Sequence, residues 1–479
     1  MRQCPDERWD ATVRLVRERL ARPDDERGMS LVEVIVAMFI FAIISSGIIY
    51  AMSSVLVLTR DSRARQVAAN LAAEEIDLVR DSADLFALLD ADRVETLNGD
   101  KFTVHRATQW VTDPAQEIVC GAGGSSALRY KRVNVTVTWE NMRTGTDPVR
   151  SDTLVQPNDK INDPAKGTLL VSVLGATGTG SSGVTVTATP GSPANGATPL
   201  TTAPANTDAQ GCTYILKVNP GNYDVKVSRP GYVDSAQKTT SVQSIGVAAG
   251  ESAAVSFQYD KQGTFDVTYA AGYTPAPAET LRVPAVPTTS FVSTYGVFTA
   301  TPASSAGRTR SIQLHPFASG YDVFAGTCAA ADPAAWPEGT DDLGQVITAE
   351  RIAGVSATPG GNVAVEVPMG VVKLELGPQG ATRYLRAVSA HAPATGDPGC
   401  DSSVEYSFGA ASGYSIPANG SLTVALPYGS WRLFSGTGGT PSNWNTVVAA
   451  GQITPVGVPA RTTVDASGVV TFDPRVVAP

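Results

Sequence analysis

"RGMSLVEVIVAMFIFAIISSGIIYAMSSVLVL" runs from Arg27 to Leu58 and sets the frame for the rest of the chain. Within it, Val34 to Leu58 is an unbroken stretch of 25 residues without a formal charge. As a helix rising about 1.5 Å per residue, it is ample for a bilayer core of about 30 Å. Arg60, Asp61, Arg63 and Arg65 come directly after it and mark the far interface. A cleaved secretory signal would carry an apolar region of only roughly 7–15 residues, ending at small residues. The run is too long for that, and too many polar residues precede it. One carboxylate, Glu33, stands at its front edge. A charge beside a membrane is costly enough that a partner for it is expected.

The 479 residues have room for roughly three or four domains. Charged residues are only 17%, and Gly, Pro, Ala, Thr and Val abound, which suits β-rich extracellular modules. Residues 1–28 hold seven arginines against seven acidic residues, so the net charge of −9 belongs entirely to residues 29–479. A mildly acidic body argues against general nucleic-acid binding, which needs a basic face. Trp9, Val13, Val16 and Leu20 fall on one helical face among arginines, and Pro23 ends the pattern. Such a helix fits either a membrane surface or solvent.

The heptapeptide "GMSLVEV", Gly28 to Val34, resembles the processing motif of type IV prepilins and pseudopilins. The resemblance implies a membrane-embedded prepilin peptidase that cuts on the cytoplasmic side between Gly28 and Met29, with N-methylation of Met29 afterwards. Residues 1–28 become a cytoplasmic leader, longer than many in that family. Glu33 takes the fifth place of the mature chain, where the family's glutamate is held to attract the free amine of an adjacent subunit. The physics agrees. Gly28 has no side chain to obstruct a cleft that accepts extended backbone. A charge pair in low dielectric depends steeply on distance and would set the stagger between packed helices.

"RDSRARQVAANLAAEEIDLVRDSADLFALL", Arg60 to Leu89, continues the helix, with Val67, Leu71, Ile76, Leu78 and Val79 on a partly apolar side. Its expected partners are "DKFTVHRATQWV" and "ALRYKRVNVTVTWENM", where Val133, Val135, Val137 and Trp139 alternate as in a half-buried strand. A helix over 29–89, transmembrane at about 34–58, laid on a small antiparallel sheet over 90–157 gives the α+β pilin unit. "QVAANLAAEEIDLVR" and "VTVTW" are similar to the PilV and pseudopilin-I subgroup of minor pilins.

After a polar linker, 158–166, the chain repeats itself with a period of about 100. Three openings align: "GTLLVSV" at Gly167, "GTFDVTY" at Gly263 and "GVVKLEL" at Gly370. Three later strands align on an aromatic residue, Tyr223, Tyr321 and Trp431, lying 56, 58 and 61 residues beyond those glycines. Closing strands match as well: "AAVSFQYD", "VAVEVPM" and "GVVTFDP". The expectation is three all-β, Ig-like or prealbumin-like sandwiches at 167–262, 263–369 and 370–479. The first resembles the carboxypeptidase-regulatory or Cna-B-like module, which implies stalk and presentation roles.

None of the five cysteines forms a CxxC pair, so zinc and redox-motif readings have little support. Without Cys4 of the leader, four remain, which fits two disulfides in an exported chain. Three connectivities are open to them. Cys328 with Cys400 would stiffen the last two modules, and Cys120 with Cys212 would tie the pilin unit to the first.

Catalytic signals are weak. "GTGSSG", 178–183, satisfies G-x-G-x-x-G but lies between two strands with no helix after it, so it reads as a hairpin loop. His105, His315 and His391 are scattered and read as surface or strand residues. Asp341 and Asp342 read as a solvated loop, with calcium a distant second. No catalytic residue, metal site or cofactor is expected.

By the resemblance, the chain is a minor pilin anchored in the cytoplasmic membrane with its N-terminus inside and its modules outside, on a pilus or cell surface. Its partners would be prepilin peptidase, other pilin subunits through the helix, the membrane, and a surface or glycan target. A pseudopilin of type II secretion or DNA uptake fits the same N-terminus. A single-pass anchor for extracellular binding modules is the third reading.

Overall fold

A computed structural model describes residues 30–112, 117–118, 120, 128–143, 145–157, 161, 163–277, 279–303, 307–391, 393–408, 414–416, 420–438, 440 and 443–477. The leader, with Trp9 to Leu20, and the pair Gly28–Met29 lie outside these residues. Packing divides the chain into two units. One comprises Met1–Asp81, Ala91–Arg106 and Asn134–Thr153; the other comprises Ser82–Asp90, Ala107–Val133 and Leu154–Pro479.

In the first unit, the helix Leu31–Arg80 is 50 residues long, about 75 Å at 1.5 Å per residue. Its buried positions, Ala64, Ala68, Leu71, Ala72, Glu75, Ile76 and Val79, recur every three or four residues, the spacing of one helical face. Buried with them are Phe102, Val104, Val135, Val137 and Trp139 of the sheet. Its strands lie in sequence order: Ala91–Leu97, Asp100–Thr112, Leu128–Trp139 and Val149–Val155. The first two form a hairpin from Ala91↔Arg106 to Leu97↔Asp100. Asn98 and Gly99 turn it, both at positive φ (54° and 84°), the Asn-Gly signature of a tight hairpin.

The helix stops at Arg80, nine residues short of the expected Leu89. The cause is local: the Asp84 carboxylate accepts from Phe86 N at 2.8 Å, and Ser82 Oγ donates to Asp84 O at 3.2 Å. Such short-range bonds offer the backbone an alternative to the helical ladder. Residues 82–90 belong instead to the second unit, where Leu85 and Leu88 are buried. There Lys131 Nζ donates to Leu85 O at 2.9 Å, and Phe86 packs between Trp110 and Tyr214 at 4.9 and 5.0 Å. Cys120 and Cys212 are joined, with Cα atoms 5.9 Å apart.

Three β-sandwich cores come next along the chain. In the first, the opening strand Gly167–Leu174 lies between Cys212–Val218 and the closing strand Ser252–Lys261. In the second, Gly263–Ala271 lies between Thr309–Leu314 and Asn362–Pro368. Opening and closing strands run parallel in both, from Ser252↔Thr168 and from Thr264↔Asn362. The aromatic strands Gly221–Ser228 and Tyr321–Ala325 sit in the facing sheets and send Tyr223 and Tyr321 into the cores. In the second core, Phe265, Phe291 and Tyr321 meet edge to face at 5.4–5.6 Å, the arrangement the ring quadrupoles favour.

The three opening glycines have one physical explanation. A Cβ on Gly167, Gly263 or Gly370 would run into Val247, Ala357 or Phe472 respectively.

The third sandwich departs from the repeat. Its opening strand Gly370–Glu375 is flanked by Ser421–Leu426 and Ile453–Val458, antiparallel to both. Its closing strand Val469–Asp473 sits in the facing sheet, pairing the aromatic strand Gly429–Gly436 at Trp431↔Val470. The matching sequence "GVVTFDP" therefore marks a strand with a different neighbour. Ile453–Val458 has taken the edge that the closing strand fills in the other two.

The second and third sandwiches also exchange strands. Leu281–Arg282 adds to the third's sheet beside Thr423 and Val424. In return, Val476–Val477 pairs Ile347 and Thr348. Cys328 and Cys400 are joined, with Cα atoms 5.1 Å apart. Arg475 pairs with Asp473 at 2.8 Å, donates to Pro337 O at 3.1 Å and lies 5.2 Å from the Trp336 ring centre. The fold is thus an α+β unit with a long apolar helix, leading into all-β sandwiches.

Candidate functional site

The first half of the helix is where sequence and structure converge. Ser30 precedes it in an extended conformation, and its carbonyl accepts from Glu33 N (2.9 Å) and Val34 N (3.2 Å). Glu33 therefore sits in the first turn. Its carboxylate is exposed and has no ion pair among the described residues. An acid suits this end, where unpaired N–H groups leave partial positive charge.

From Leu31 to Leu58 the large apolar side chains are exposed, Phe41 at 72% and Ile49 at 66%. The most apolar 18-residue window has 0% of its residues buried. A continuous apolar cylinder of this length needs a surrounding of its own kind, whether lipid tails or other helices. Three hydroxyls along it are satisfied within the helix: Ser46 Oγ donates to Ala42 O (2.7 Å), Ser54 Oγ to Tyr50 O (2.9 Å) and Thr59 Oγ1 to Val55 O (2.8 Å). Each closes onto the carbonyl one turn back, so these three need no water in the bilayer. Sequence patterning did not reveal these bonds, though Ser and Thr within a membrane helix are their signal. Beyond the apolar stretch, Arg60 pairs with Asp100, which holds that guanidinium's pKa above its usual value.

The other candidates resolve into structure. The loop 178–183 joins strands Gly167–Leu174 and Thr185–Pro190, which belong to facing sheets. It is a crossover between sheets, not the expected hairpin loop. Gly180 pairs with Leu174 and packs on the backbone of Gln210 and Gly211. His105 is exposed beside Asp92 at 2.7 Å, and His391 is exposed. His315, expected as a surface or strand residue, is fully buried. Its Nδ1 is 3.1 Å from Val233 O, and its backbone N donates to Gln237 Oε1 at 2.7 Å, which joins the first and second sandwiches. Burial pushes its pKa down. Asp341 accepts from Leu343 N and Gln345 N at 2.9 and 2.8 Å, shaping its own turn. Among the described residues no cluster of His, Cys, Asp or Glu could hold a metal.

Residues 24–49 match the family described as the prokaryotic N-terminal methylation motif. The N-terminus is thus of prepilin type, which implies processing by prepilin peptidase and assembly with other pilins. No curated protein matches the sequence. Among solved structures, similarity is found to a Streptococcal ancillary pilin (9% identity, 55% of this chain and 92% of that one, TM-score 0.20). BcpA, the major pilin subunit of Bacillus cereus, is similar at 10% identity over 64% and 92% of the chains (TM-score 0.19). The Bacillus anthracis TIE protein is similar at 13% over 73% and 70% (TM-score 0.20).

Proposed function

We propose that this chain is a minor pilin of a type IV pilus-like filament. Prepilin peptidase cuts it between Gly28 and Met29, Met29 is methylated, and the helix enters a bundle with other pilins. Glu33 meets the freed amine of a neighbouring subunit, an ion pair made within the lipid edge. The β-modules are carried outside the cytoplasmic membrane. There they present a surface for adhesion or for assembly at the filament tip, by binding alone. A head of three sandwiches on one helix would crowd a filament built only of this chain, which supports a low copy number.

One observation carries the reading. The helix combines a prepilin-type motif with an apolar surface that has no intramolecular cover and a carboxylate that has no counter-charge among the described residues. The test is a Gly28→Phe variant expressed beside its own peptidase. The expected product is an uncleaved precursor held in the membrane and missing from sheared filaments. Wild-type levels of Gly28→Phe in filaments would overturn the proposal.

A further inference from the structure

The disulfide Cys120–Cys212 closes a sequence separation of 92 residues, and it determines where tension enters the first sandwich. A pull on the helix reaches Cys120 along the backbone. The bond passes it straight to Cys212 and leaves residues 121–211 slack. The slack segment contains the whole opening strand Gly167–Leu174.

Cys212 pairs with Ser172, near the far end of that strand. Ser172 in turn pairs with Ser256 of the closing strand. Because opening and closing strands are parallel, the chain leaves the sandwich at Lys261, at the same end as Cys212. Entry and exit thus lie across the sheet from each other at one end. Tension between them opens hydrogen bonds one after another.

Without the bond the geometry reverses. Tension would enter at Gly167 and leave at Lys261, at opposite ends of two adjacent parallel strands. Seven rungs, Ser252↔Thr168 to Gln258↔Leu174, would then be loaded together in shear. Breaking them at once has a far higher barrier than breaking them in turn, and forced unfolding is governed by that barrier.

We infer that Cys120–Cys212 makes the first sandwich a yielding link on a short tether. It gives way at low force, but the bond caps how much chain it can pay out. The inference does not rest on the filament reading, since any anchorage of the helix loads the same route.

The test is single-molecule pulling on the full chain, its helix held in a lipid nanodisc and force applied at the C-terminus. Oxidised wild type is compared with Cys120→Ser/Cys212→Ser, which keeps the Cys328–Cys400 bond. The first-sandwich step is assigned by Val225→Ala, which lowers the force of that step alone. At about 3.5 Å per residue, the step should release about 160 Å in wild type and about 300 Å in the double variant. The longer step should come at the higher force. Release lengths do not depend on module stability. If the double variant shows no step, reductant added to wild type under load should convert the short step into the long one. A step of about 300 Å in oxidised protein overturns the inference. So do equal forces and lengths in the two forms, or a short step that persists after reduction.

Discussion

Arg106 Nη1 lies 2.7 Å from Glu75 Oε1 and joins the helix to the sheet of the first unit through an ion pair with little access to water. Arg93 stands 3.8 Å from the other carboxylate oxygen. Removing the acid would strip Arg106 of this carboxylate, while Arg93 keeps Glu95 at 2.8 Å, and breaking a buried pair on one side costs far more than its formation gained. Glu75→Gln is therefore expected to destabilise this unit by about 3 kcal/mol. Hydrogen exchange at residues 64–79 and 100–106 measures it, and unchanged protection would refute it.

Glu33→Ala separates cutting from assembly. The bond proposed to be cut lies upstream of Glu33, so processing and membrane insertion should proceed as in wild type. Entry into filaments should fall by about tenfold or more, because the partner's buried amine loses its counter-charge. Quantitative blotting of membrane and sheared-filament fractions reads both steps.

His315 ties the first sandwich to the second in its neutral form. Burial depresses its pKa, while the Val233 carbonyl, Asp260 and Asp234 oppose that by less. The unfolded chain, at about 6.5, takes up the proton more readily. The stability that His315 contributes is thus whole above about pH 6.5 and is lost as pH falls below it. The melting temperature should drop between about pH 7.5 and about pH 5, and His315→Gln should flatten that dependence.

Trp431 is 1% exposed, and its indole nitrogen donates to Pro427 O at 2.8 Å. Trp431→Ala should cost the third sandwich about 4 kcal/mol, the range for emptying a large core site. Because this sandwich shares strands with the second, both should melt earlier together, while the first stays unchanged. Proteolysis with mass mapping of the fragments distinguishes the three.

A chain ending at Met369 should not hold a native second sandwich. It would lose the neighbour of Leu281–Arg282, one of the two neighbours of Val346–Thr348, the Cys328–Cys400 bond, and Val371 and Ala425 of its core. The expected product keeps far-ultraviolet circular dichroism and binds a hydrophobic dye, as loosely packed states do. Sharp, dispersed methyl signals would contradict this.

Much of the fold was legible because its signals are periodic. The apolar helix, the alternation at Val133, Val135, Val137 and Trp139, and the recurring glycine and aromatic each record a burial pattern. The closing strand of the third sandwich was misplaced because alternation says that a strand has a buried face, not which strand lies beside it. The end of the helix was missed because Ser82 and Asp84 act through single hydrogen bonds with no period. Exchange through Leu281–Arg282 left no trace, since two residues cannot show alternation. His315 was hidden for another reason: its burial comes from a neighbouring module, not from its own strand.

The exchange of strands has a consequence for how the protein reaches the outside. On the proposed topology the chain is threaded outward from its N-terminal side, so the second sandwich emerges with Leu281–Arg282 unpaired and the Val346–Thr348 edge open. It must wait for Thr423, and at last for Val476 and Val477, to be delivered. Unpaired edges are templates for misassembly. The interval between the arrival of residue 263 and that of Val476–Val477 is therefore when the second sandwich is most exposed to proteases, and when an escorting chaperone would matter most.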